Sequence, residues 1–151
     1  MFHEITRVVP SVHKCMLVSM GYRGDPLGQY LFGGVCLEEY VVDIRHLKDD
    51  CRGGPWGFDP RTQERVRAMA GFDSTLSLVL GKILIQPLVV VACNAGHHRS
   101  VAMTIIAASR ISQLQSPTIE LEVVHVDAGK CTIPQWERLK KLFGRPADDD
   151  L

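Results

Sequence analysis

The apolar run Leu88-Val89-Val90-Val91-Ala92 stops at Cys93 and gives way to a small, polar turn, Asn94-Ala95-Gly96-His97-His98. Arg99-Ser100 then open a second apolar stretch, Val101 to Ile111. A short run with no polar side predicts a strand buried on both faces. Such a strand, followed by a glycine turn and a helix, is a unit of an α/β sheet. The same unit predicts an anion site. Backbone N–H groups at a helix N-terminus have no partner within the helix, and the helix dipole favours negative charge there. Arg99 adds a planar fork suited to phosphate or carboxylate. Residues 93 to 100 are therefore expected to hold a phosphate-like group.

The chain has 151 residues, enough for one domain with a real core. The sequence reads as a single α/β domain over 1–147, with Asp148-Asp149-Asp150-Leu151 as a frayed acidic tail. Hydrophobic residues at 46% and charged residues at 23% fit a soluble globular protein. A net charge of zero argues against a surface coated in positive charge for nucleic acid. No apolar run approaches the roughly 20 residues of a membrane helix. Met1 to Ile5 lacks the basic and apolar regions of a signal peptide, so a cytoplasmic location is expected, with no membrane partner. The five cysteines, Cys15, Cys36, Cys51, Cys93 and Cys131, are scattered and form no C-x-x-C pair. That pattern predicts buried thiols and no zinc site. His97-His98 lack a third ligand at matching spacing, so no metal is expected; no cofactor motif is present either.

Along the chain, His13 to Met20 predicts a first strand and Gly21 to Gly28 a loop. Tyr40 to Ile44 predicts a second strand, followed by an irregular segment, Arg45 to Pro60. Asp59-Pro60 has the form of an N-cap with proline at the first helical position, opening a helix to about Ala70. Asp73 or Ser74 is expected to cap a second helix to about Ile85. Leu88 to Ala92 is the buried strand, 99–113 a helix, Pro117 a break, Leu121 to His125 a strand, and Ile133 to Phe143 a last helix. Alternating strands and helices predict a mostly parallel sheet flanked by helices. Ligands bind beyond the C-terminal strand ends of such sheets. That rule groups Gly21 to Gly28, Asp43 to His46 and Cys93 to Ser100, and can add the segment from His125.

Three of these segments, in order, carry a family resemblance. They are Ser19-Met20-Gly21-Tyr22-Arg23-Gly24-Asp25-Pro26, Asp43-Ile44-Arg45-His46-Leu47, and Cys93-Asn94-Ala95-Gly96-His97-His98-Arg99-Ser100-Val101. Over roughly residues 15 to 130 the chain resembles the C-terminal domain of the RapZ family of bacterial RNase adapters. That domain has a glycine turn after its first strand, an Asp-x-Arg-x-Leu segment and a Cys-x-Gly-Gly-x-His-Arg-Ser-Val loop. The resemblance implies a binding domain for small RNA and for an amino-sugar phosphate, and self-association into a homo-oligomer. It makes Asp43, Asn94 and Arg99 candidates for the sugar-phosphate pocket. With Arg45 and the rest of the loop, the ligand-binding set is Asp43, Arg45, Cys93, Asn94, Ala95, Gly96, His97, His98, Arg99 and Ser100. The chain departs from the family in several places. It has Asn94-Ala95 where the family has Thr-Gly, and His125-Val126-Asp127 where the family has His-Arg. It has no Walker loop, so nucleotide binding of that kind is not implied. An acidic tail stands where the family carries a basic run, which argues against RNA.

The loop supports a second reading. Cys93, five residues, Arg99 and Ser100 form C-x5-R-[ST], the phosphate loop of cysteine-dependent phosphatases. There the backbone donors lower the thiol pKa, the thiolate attacks phosphorus, the arginine clamps oxygens and the hydroxyl helps the thiolate leave. A carboxylic acid protonates the leaving oxygen. Asp59, beside Trp56 in a loop, is the first candidate, and Asp49 and Asp50 follow. Ala92 stands where such enzymes usually carry histidine. Plainer roles also stand open. Cys93 can be a packing thiol, Arg99 a partner of Asp43, and His97 and His98 backbone hydrogen-bonders. Asp59 can be an N-cap, and His125 and Trp136 core residues.

Overall fold

The computed structural model describes residues 12–23, 31, 35–48, 54–114 and 118–145. Residues 24–28 of the first loop, Asp49, Asp50, Cys51, Pro117 and the ends of the chain, 1–5 and 148–151, lie outside that set. Four strands form one parallel sheet: β1 (His13–Gly21), β2 (Val41–Asp43), β3 (Leu88–Cys93) and β4 (Ile119–His125). Their order is β2-β3-β1-β4. All six residues of β3 are buried, as a strand with neighbours on both edges and helices on both faces requires. Pairing of Gly21 with Cys93, Asp43 with Ala92, and Ser19 with His125 brings the C-terminal ends of all four strands to one edge.

Side chains alternate across the pleat and build two cores. Cys15, Leu17, Val89, Val91 and Cys93 face one side, against Val66 of helix α1 (Pro60–Arg67), Leu76 and Val79 of α2 (Phe72–Ile83), and Met103 and Ile106 of α3 (Arg99–Gln113). Met16, Val18, Met20, Leu88, Val90 and Val124 face the other, against Leu139 and Phe143 of α4 (Ile133–Phe143). The architecture is therefore α/β, with a parallel sheet between helices, and the glycine loop joins an inner strand to α3. No helix among the described residues is long and apolar enough to cross a membrane.

Local chemistry explains the helix starts. The Asp59 carboxylate accepts the Arg61 N–H at 2.8 Å, ahead of Pro60. Thr132 and Gln135 form a reciprocal capping box at α4, with bonds of 3.2 and 2.9 Å. The start of α2 corrects the sequence expectation. Neither Asp73 nor Ser74 caps it; Gly71 does, at φ 85°, with its carbonyl accepting from the Ser74 and Thr75 hydroxyls. A glycine takes this left-handed geometry without the steric cost a Cβ would carry. Helix ends also fall short of expectation, at Arg67 and Ile83. The second strand is shorter than its apolar run. Tyr40 closes a 3-10 turn, Glu38–Tyr40, and its hydroxyl donates to the Arg145 carbonyl.

Candidate functional site at the C-terminal edge of the sheet

The 93–100 loop is held by backbone on two sides. Beyond β1, the Tyr22 and Arg23 N–H groups donate to the Cys93 and Asn94 carbonyls at 2.8 and 2.7 Å. The Gly57 N–H donates to the His97 carbonyl at 2.8 Å. At Gly21 the chains touch: a Cβ there would lie 2.4 Å from the Ala95 carbonyl carbon and 2.7 Å from the Gly96 nitrogen. Gly96 answers it with φ 79°, and a Cβ there would meet the Gly21 nitrogen at 2.8 Å. Two glycines thus let the β1 turn and the loop lie backbone to backbone. Gly57 is as tight, with a Cβ 2.4 Å from the His98 carbonyl oxygen and the Ala102 nitrogen.

Within the loop, the Gly96 N–H donates to Cys93 Sγ at 3.3 Å, and Cys93 Sγ and Ser100 Oγ share a hydrogen bond of 3.1 Å. Cys93 and Ser100 are both buried beneath the loop. Cys15 and Cys36 are pushed up to about 12 by burial, as inert core thiols. Arg99 opens α3 and donates through Nη1 to the Leu47 carbonyl at 2.6 Å and the Arg45 carbonyl at 3.3 Å. Among the described residues those bonds use one end of the guanidinium. The Nε–Nη2 edge, which grips oxyanions in bidentate fashion, takes no part in them.

Asp43 does not pair with Arg99. It forms a bidentate pair with Arg45, at 2.8 to 3.2 Å, and the Arg45 guanidinium lies 3.8 Å above the Tyr22 ring. Partial burial works against the Asp43 charge, but the hydrogen bonds and charge of Arg45, helped by His46, hold its pKa below the ordinary value. Asp43 and Arg45 therefore form a charged rim beside the β1 turn. Asn94 is exposed and Ala95 half-buried at the loop's open side. On the other flank His97 stacks on Trp56, with ring centres 4.1 Å apart, and His98 Nε2 bonds with the Gly54 carbonyl at 3.2 Å. Asp59 is the α1 cap. Arg61, through side chain and backbone, holds it down to about 2, so it stays ionised and already paired.

The last residue of β4 and the turn beyond it complete the site. His125 is buried, sharing a 2.8 Å hydrogen bond with Ser19 Oγ through Nδ1 and meeting the Phe58 ring edge-on. Burial, then the Lys130 charge, push its pKa down to about 4, so it is neutral at physiological pH. Asp127 stands in the turn 126–129, which paired backbone bonds between His125 and Lys130 close at 3.2 and 3.1 Å. Its Oδ2 accepts the Gly21 N–H at 2.7 Å and would lie 3.0 Å from a Cβ on Gly96. Burial raises its pKa, against the opposing pull of the Gly21 N–H and His97. Asp127, Trp56 and Gly57 were not singled out by sequence reasoning as site residues. The strand-end rule pointed toward Asp127, two residues past β4. Nothing local marks Trp56-Gly57 as the segment that docks on the loop.

Among the described residues, no group of three His, Cys, Asp or Glu side chains can hold a metal. A groove of about 600 Å³ opens elsewhere, between α4 and the N-terminal halves of β1 and β4, lined in part by Lys14, Met16, Glu122, Arg138 and Lys141. No protein-family model matches the chain, and no curated protein matches it in sequence.

Proposed function

We propose that the 93–100 loop binds the phosphoryl group of a small molecule, and that the chain works as a phosphoryl-ligand-binding module like the RapZ C-terminal domain it resembles. The observation that carries this reading is the Gly96 N–H, turned inward onto Cys93 Sγ at the N-terminus of α3. A backbone donor turned inward just ahead of a helix start suits a phosphoryl group. Arg99 supplies the clamp, and the Asp43–Arg45 rim and Asn94 meet the rest of the ligand. An amino-sugar phosphate suits this arrangement: phosphate for the loop, hydroxyls and an ammonium for Asp43. RNA phosphate is the less favoured ligand, given a net charge of zero. Thermal unfolding tests the reading. Glucosamine 6-phosphate is expected to raise the melting temperature, glucosamine alone is not, and Arg99→Ala should remove the shift. An equal shift with both sugars, or one that survives Arg99→Ala, would sink it. RNA that stabilises the chain in a strongly salt-dependent way would redirect the reading to nucleic acid.

A second reading is favoured by a separate observation, the two hydrogen bonds on the Cys93 sulfur. They fix the sulfur at the base of the loop, where the loop would serve a cysteine-dependent phosphatase with Cys93 as nucleophile, Arg99 as the phosphate clamp and Ser100 assisting the leaving sulfur. Turnover of p-nitrophenyl phosphate that vanishes in Cys93→Ser would establish catalysis; no turnover in either protein leaves a binding site.

A further inference from the structure

We propose that Asp127 is the proton donor of phosphomonoester cleavage at this loop. The inference rests on the phosphatase reading and supplies the acid it lacks. Any acid there must come from the strand-end edge, be held rigidly, and be free of a permanent cation. Asp59 fails on the last count, bound to Arg61, and Asp43 is bound bidentately to Arg45. Asp127 meets all three requirements. It projects from a turn of four residues closed by two backbone bonds. Its carboxyl is in no ion pair among the described residues, and Oδ2 is steadied by the Gly21 N–H at 2.7 Å.

Gly96 connects this carboxyl to the sulfur. Its N–H reaches Cys93 Sγ at 3.3 Å, while its outer face abuts Asp127, with Oδ2 3.0 Å from the Cβ position. A side chain on Gly96 would collide with Gly21 and Asp127, so the glycine lets the Asp127 turn lie against the loop. Half-burial there favours the protonated carboxyl, as an acid needs. The titratable group facing Asp127 from the loop is His97. His125 and Lys130 stand at the base of its own turn, and the β1 side presents the Gly21 N–H.

The Cys93 thiolate attacks phosphorus, the P–S bond forms and the ester P–O bond breaks. The Asp127 proton passes to the departing oxygen, and an alcohol or phenol leaves. Asp127, now a carboxylate, takes a proton from water as that water attacks the thiophosphate. The P–S bond breaks, and inorganic phosphate and the thiolate are released.

The test compares wild type, Asp127→Asn, Asp127→Ser and Cys93→Ser on two esters, phenyl phosphate and p-nitrophenyl phosphate. Asn keeps a carbonyl to accept the Gly21 N–H, and inorganic phosphate binding by each variant reports an intact loop. The expected loss of kcat is about 100-fold or more on phenyl phosphate, whose leaving group needs the proton. It should be about tenfold or less on p-nitrophenyl phosphate, whose phenolate leaves unaided. The fall in kcat at high pH should also disappear in both Asp127 variants. A merely structural role would slow both esters alike and leave the pH profile in place, which would overturn the assignment. Asp127→Asn as fast as wild type, with Cys93→Ser inactive, would overturn Asp127 and keep the phosphatase reading. No wild-type turnover of either ester would overturn both, and leave the phosphoryl-binding reading standing.

Discussion

His125 makes the fold sensitive to acid in a calculable way. It is neutral in the folded state, buried against Ser19, Thr104 and the Phe58 edge, with its pKa pushed down from 6.5 to about 4. The unfolded chain therefore binds a proton below 6.5 that the folded chain refuses. Stability from this residue is complete above that value and is lost as pH falls toward about 4. The linkage relation gives a loss of about 2 kcal/mol between about pH 7.5 and about pH 5, and up to about 3 kcal/mol at lower pH. His125→Asn provides the reference, since its amide can occupy the Nδ1 position and bond Ser19 without titrating. Urea unfolding of both proteins at the two pH values isolates the effect, because the carboxylates are common to both. Wild type should be the more stable at about pH 7.5, and its advantage should shrink by about 2 kcal/mol at about pH 5. An advantage that is unchanged between the two pH values would refute the buried, neutral imidazole.

Three further outcomes follow from the geometry. Gly21→Ala places a Cβ 2.4 Å from the Ala95 carbonyl carbon, so backbone must move; a cost of about 1–3 kcal/mol in urea unfolding, with loss of phosphate binding, is expected. Thr132→Ala removes the hydroxyl that accepts the Gln135 N–H in the capping box on α4 and should cost about 1 kcal/mol while leaving ligand binding unchanged, as calorimetric titration with inorganic phosphate would show. Arg99→Lys should fold with a loss of about 1 kcal/mol as the Leu47 and Arg45 carbonyls lose a planar partner, yet bind phosphate at least tenfold more weakly, on the order of one bidentate hydrogen bond.

Most elements were legible because their signals are local. The apolar run 88–92, the Asp59-Pro60 pair and the periodicity of 133–143 each specify an element through their own residues. The errors were local as well. Asp73 and Ser74 are good cap types, but the backbone reverses earlier, at Gly71. Tyr40 and Ile44 suit a strand, but pairing with β3 covers only Val41 to Asp43. The strand order is not written in any one segment. It places β1 between β3 and β4, and so carries the turn after β4 to the loop after β3. For that reason Cys93, Arg99 and Ser100 were readable from their spacing, while Asp127 was not. Asp127 reaches the loop through Gly21 and Gly96, residues 106 and 31 positions away in the chain.

The central claim, a phosphoryl group held by the backbone of residues 94 to 100, is tested most directly by amide NMR during titration with inorganic phosphate. The account predicts saturable shifts led by the Gly96 and Ser100 amides and their loop neighbours, absent in Arg99→Ala. Amides of the loop that stay in place at saturating phosphate, or shifts centred on another surface, would contradict it.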